Sequence, residues 1–210
     1  MTAKHKVHNL IILDESGSMA SIKDEIITGF NEVVQTIKGV EKQYPDQEHF
    51  ISILTFNGLG MNYMLENQPV SELKEIDGRK YQPAAMTPLY DAMGFSIQKL
   101  KNQLTDAEDY HVLVTVLTDG EENSSKEFNG KAIKALVEDL MNHNWTFTYI
   151  GTEHDVNKSA TTISIHNTII FKKDKADMER MFTREKNARV RYSRDISENK
   201  ASGSNYYDEV

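Results

Sequence analysis

With 210 residues, 39% of them hydrophobic and 27% charged, the chain is long enough to bury one good core and has the balance of an ordinary soluble globular protein. Its net charge of −8 argues against general affinity for nucleic-acid phosphates, and no apolar run reaches the ~18 residues that a membrane helix needs. Having no cysteine excludes disulfides, thiolate metal sites and cysteine nucleophiles together, and makes a cytoplasmic protein the simplest expectation.

The first element is 7–13 (VHNLIIL), a short branched apolar run that suits a strand buried on both faces. It is too short, and too abruptly ended by Asp14, for a signal peptide. A helix follows: Ser21 and Asp24 have the spacing of a capping box, and Ile22, Ile26, Phe30, Val33, Val34 and Ile37 recur at helical spacing, with Gly39 as the expected stop. The run 50–56 (FISILTF) reads as the next strand, and 61–66 as a short edge strand. Thr87-Pro88 has the form of a cap and first helical residue, ahead of a stripe of Leu89, Met93, Ile97, Leu100 and Leu104. The segment 110–118 (YHVLVTVLT) is the strongest core strand. Ser124 and Glu127 suggest a second capping box before a helix with Ile133, Leu136, Val137, Leu140 and Met141. Strands at 145–150 and 168–171, a weak helix near Asp155 and a basic helix over 174–194 complete the series.

This alternation predicts βαβ units and an α/β fold. It is a three-layer doubly wound, mostly parallel sheet with helices on both faces and one short antiparallel edge strand. The domain is expected to span 1–196, with 197–210 a disordered tail because it holds almost no aliphatic residues. The basic helix reads first as a solvated face.

In an open parallel sheet, ligands bind outside the carboxyl ends of the strands, near a switch in strand order. Asp14 directly follows the first strand and Asp119 the strongest one, so both carboxylates belong to that edge. Asp14, Ser16 and Ser18 alternate along an extended turn and can aim three oxygen groups at one spot. Thr87 adds a hydroxyl from a loop just ahead of a helix. Such an all-oxygen set selects a hard ion, Mg²⁺ above all, with Mn²⁺ or Ca²⁺ as alternatives. Two carboxylates can at most neutralise that ion, so it stays electrophilic and keeps a position open for an acidic side chain of a partner.

The segments LDESGSM (13–19), MTPLYDAMG (86–94) and LTDGEENSS (117–125) resemble the three parts of the metal-ion-dependent adhesion site of the von Willebrand factor A domain. The resemblance runs over 7–171 and is closest to the intracellular bacterial members. It implies a non-enzymatic protein-binding module in which Ser16, Ser18 and Thr87 touch the metal directly. Asp14 and Asp119 would bind it directly or through water. Met86 departs from the pattern, since many relatives have glycine before the threonine.

Two other classes compete. A Mg²⁺-dependent phosphohydrolase would need a second acid two residues after Asp14, where Ser16 stands, or a phosphate-binding loop, and no lysine is expected near the site. An RNA-associated module is opposed by the acidic charge. Asp91 reads either as a support for the metal ligands or as a solvated first-turn acid. The seven histidines show no ligand clustering in sequence. Asp208-Glu209 could offer a carboxylate to a neighbouring molecule, and the sequence leaves the oligomeric state open.

Overall fold

The computed structural model describes residues 4–200 and 205–207. Six strands form one sheet in the order β3-β2-β1-β4-β5-β6: β1 (His5–Asp14), β2 (Gln47–Asn57), β3 (Gly60–Pro69), β4 (Tyr110–Leu117), β5 (Trp145–Gly151) and β6 (Asn167–Ile170). All neighbours are parallel except β3, which runs antiparallel to β2 at the edge. That edge strand spans 10 residues, longer than the expected 61–66, because the turn after Asn57 lets β3 follow β2 back along its length.

The main helices are α1 (Lys23–Gln43), α2 (Leu89–Gln103), α3 (Gly130–Met141), the short α4 (Glu153–Asp155), which runs on into a π-helical turn at Val156–Ala160, and α5 (Lys175–Ser197). Alternate side chains of β1 and β4 enter different apolar clusters. Val7, Ile11, Leu13, Leu113 and Leu117 join residues of α1 and α5, whereas Leu10, Ile12, Val112, Val114 and Val116 join residues of α2 and α3. The stripe Leu89, Met93, Ile97, Leu100 and Leu104 is buried throughout. Among the described residues, no helix is long and apolar enough to cross a membrane.

The helix ends differ from the sequence expectation. Ser21 lies inside a 3-10 turn at Gly17–Ile22 and its hydroxyl donates to Ser18 O, so it caps nothing; α1 starts only at Lys23. The same helix passes straight through Gly39 to Gln43, because burying Val40 favours continuing the apolar stripe. Before α3 the capping residue is Asn129, whose side chain accepts from Ala132 N, and Ser124 and Glu127 belong to the preceding loop.

The basic helix also departs from a solvated face. Arg189, 2% exposed, donates to Glu185, to Asn9 of β1 and to Thr115 of β4, forming a polar network between α5 and the sheet. The expectation of a disordered tail fails at Tyr206 and Tyr207, both 4% exposed. Their phenols reach Glu185, with Tyr207 Oη donating to Oε2 at 2.6 Å, so the two rings roof this network and shield its charges. Asp208-Glu209 lie outside the described residues.

Candidate metal centre

β1 and β4 are adjacent, and their registers bring Leu13 opposite Leu117. Strand order reverses its direction of growth between them, with β2 and β3 on one side and β5 and β6 on the other. Asp14 is the last residue of β1, and Thr118 and Asp119 follow β4, so both carboxylates occupy the edge where such sheets bind ligands.

The five residues expected to act together are gathered there. Ser18 Oγ donates to Asp119 Oδ1 at 2.6 Å and lies 3.1 Å from Ser16 Oγ. Asp14 accepts from Ser16 N at 2.7 Å and from Thr118 Oγ1 at 2.6 Å. Thr87, from the loop before α2, completes the group. A methyl group placed on Gly120 would sit 3.2 Å from both Ser18 Oγ and Thr87 Oγ1, and 3.7 Å from Asp14 Oδ2. Three oxygens from three chain segments therefore surround one spot beside Gly120, which glycine leaves clear. Asp14, Ser16, Thr87 and Asp119 are buried while Ser18 is exposed, so the cluster has a closed floor and an open side.

The loops that carry these groups are locked to one another. Thr87 N donates to Asn123 Oδ1 and Asn123 N donates back to Thr87 O, at 2.9 and 3.1 Å. Thr87 is thus held by the loop after β4 and does not cap α2, whose first turn has no side-chain cap. Glu122 accepts from Tyr90 N, Ser124 N and Ser125 N, tightening the same junction. Tyr81 Oη donates to Asp14 O at 2.6 Å. Asp91 is neither a support for the ligands nor solvated: its carboxylate accepts from the backbone of Lys126, Glu127 and Phe128, which fixes the path into α3. These partners escaped the sequence because each is an ordinary polar residue whose role exists only once two loops meet.

Electrostatics make the cluster receptive to a cation. Burial pushes the Asp14 carboxyl up to about 6, with the Asp119 charge adding to the effect and the hydrogen bonds from Thr118 and Ser16 opposing it. Burial and the same carboxylates raise the Tyr81 phenol far above its usual range, so it stays a donor.

A lysine does reach the site, contrary to the sequence expectation. Lys173, in the loop between β6 and α5, places Nζ 2.5 Å from Asp119 Oδ2. This ion pair supplies the partner of Asp119 Oδ2, while Oδ1 accepts from Ser18. The signal was hidden because 172–194 is basic as a block, and nothing in its spacing singles out one lysine.

The donor set fits a hard divalent cation. It is oxygen only, and it encloses a clear spot beside Gly120 that a Cβ would fill.

No family model and no curated protein matches the sequence. By structure, the chain is similar to proximal thread matrix protein 1 from the mussel byssus, with TM-score 0.50 and 11% identity over 89% of this chain and 46% of that one. It is also similar to the pilus adhesin SpaC from Lactobacillus rhamnosus GG in its open conformation, with TM-score 0.60 and 10% identity over 95% of this chain and 31% of that one. The chain spans less than half of the length of each. At such identities the likeness concerns the fold alone.

Proposed function

We propose that residues 1–196 form a von Willebrand factor A-type domain, a three-layer doubly wound fold with helices on both faces of the sheet. In this reading it is a non-enzymatic, cytoplasmic binding module. Asp14, Ser16, Ser18, Thr87 and Asp119 would hold Mg²⁺, with Mn²⁺ or Ca²⁺ as substitutes. The ion, when bound, supplies an electrophilic position for an Asp or Glu carboxylate of a partner protein. The observation that carries the reading is the convergence of Ser18, Thr87 and Asp14 oxygens beside Gly120. The two aspartates offset the ion's charge, the hydroxyls add none, and the locked loops hold all five groups in place before anything binds. The exposed side at Ser18, rimmed by Met86 at 52% exposure, is where a partner would approach.

The test is capture of partner proteins from an extract of the source cell on immobilised protein. Binding is expected to disappear in EDTA, to return with Mg²⁺ and to be absent with Asp14→Ala. A bound set indifferent to all three conditions would sink the reading.

Lys173 favours one other reading, a Mg²⁺-dependent phosphohydrolase, because an ammonium beside metal-binding carboxylates suits phosphoryl oxygens. Against it, Ser16 stands where such enzymes carry a second acid. Steady release of phosphate from p-nitrophenyl phosphate, lost with Asp14→Asn, would make it the better account.

A further inference from the structure

His5 opens β1, and His111 is the second residue of β4. The parallel register sets Lys6 opposite Tyr110 and Val7 opposite His111, so His5 and His111 fall on one face of neighbouring strands. Their rings are 6.4 Å apart between centroids. Asp109, in the turn just before β4, approaches His5 Nδ1 with Oδ1 at 3.0 Å. One ligand atom from each of the three residues lies within 4.8 Å of the others.

We propose that His5, Asp109 and His111 form a second metal site at the amino edge of the sheet, for a borderline divalent ion of the Zn²⁺ class. Two imidazoles and a carboxylate are the donor set such ions take, and the opposite of the oxygen-only set beside Gly120. Four-coordinate Zn²⁺ with bonds near 2.0 Å separates its ligand atoms by about 3.3 Å, so closing the group takes side-chain movements of only an ångström or so. Lys6 N donates to Asp109 O at 3.2 Å, which ties the turn to β1 and holds the carboxylate beside both rings. Three protein ligands leave a fourth position for water or a group from another molecule. β1 runs its full 10 residues from His5 to Asp14 and so separates the two edges by roughly 30 Å, which sets this site apart from the one proposed above.

Calorimetric titration with ZnCl2, in buffer holding excess Mg²⁺, tests the site. One binding event is expected, equal in the wild type and in Asp14→Ala, and weakened at least tenfold by His5→Ala and by Asp109→Asn. Both of these positions are partly exposed, and circular dichroism checks that each variant is folded. Zn²⁺ binding that ignores both substitutions, or no Zn²⁺ heat at all, would overturn the site and reduce the group to a His5–Asp109 hydrogen bond. Either result leaves the Mg²⁺ reading untouched, because Asp14→Ala and Mg²⁺ report on that separately.

Discussion

Lys173 and Asp14 set the electrostatic behaviour of the carboxyl edge, and both lead to measurable expectations. Lys173 Nζ stands beside Asp119 as an internal counter-ion, so it must be displaced or crowded when a dication enters. Its side chain is 37% exposed, which leaves the pair worth at most ~1 kcal/mol after solvent screening. Lys173→Ala is therefore expected to tighten Mg²⁺ about fivefold by calorimetry while lowering the Tm in EDTA. A weaker Mg²⁺ affinity would show that the lysine assists the ion.

Asp14 gives a pH dependence with a definite sign. Its folded pKa of about 6 stands above the ordinary 3.8, so the folded state favours the protonated acid. The associated stability is present below about pH 3.8 and is lost as pH rises through about 6. A metal ion reverses this penalty only where the acid is ionised. The Tm gain from saturating Mg²⁺ is thus expected to be larger at pH 7.5 than at pH 5, and an equal gain at both would contradict the assignment of Asp14 as a ligand.

At the scale of elements, α1 carries two glycines with opposite expectations. Nothing lies within 4 Å of a methyl added at Gly39, so Gly39→Ala should gain helix propensity, ~0.5–1 kcal/mol. At Gly29 the added methyl would sit 2.0 Å from the Phe182 ring, because α1 and α5 pack closely there. Gly29→Ala should therefore lose about 1–3 kcal/mol despite the better propensity. Thermal melts of the two variants should shift in opposite directions; a shared direction would mean that the contact between α1 and α5 is misplaced.

The same helices show what sequence pattern conveys and what it misses. Apolar spacing locates α1, α2 and α3, since burial of one face is written directly into periodicity, whereas 174–194 reads only as a basic helix. Caps and stops were misread at Ser21, Gly39 and Thr87. A capping side chain competes with other local partners, and here loop-to-loop hydrogen bonds and the burial of Val40 prevail. Tyr206 and Tyr207 fall in the stretch 197–210 that is expected to be disordered because it holds almost no aliphatic residues. Their burial depends on Glu185 and Arg189, buried ions that no local pattern reveals.

For the whole molecule, the sheet sorts chemistry by edge. Parallel strands bring Asp14, Ser18, Thr87 and Asp119 to the carboxyl edge and His5, Asp109 and His111 to the amino edge. The carboxyl-edge set was legible because each member sits at a strand end or helix start. The amino-edge set was not, because His5 and His111 are far apart in sequence and meet only through the pairing of β1 with β4. Loops beyond strand ends, here the one holding Lys173, are where sequence reasoning loses its grip.

The convergence of oxygens beside Gly120 is tested most directly by calorimetric titration of Mg²⁺ into the wild type and Gly120→Ala. The wild type should bind one ion, and the added methyl, only 3.2 Å from Ser18 Oγ and Thr87 Oγ1, should weaken binding at least tenfold with the Tm in EDTA nearly unchanged. Equal Mg²⁺ affinity in the two proteins, or no heat from Mg²⁺, Mn²⁺ and Ca²⁺ in the wild type, would contradict the account.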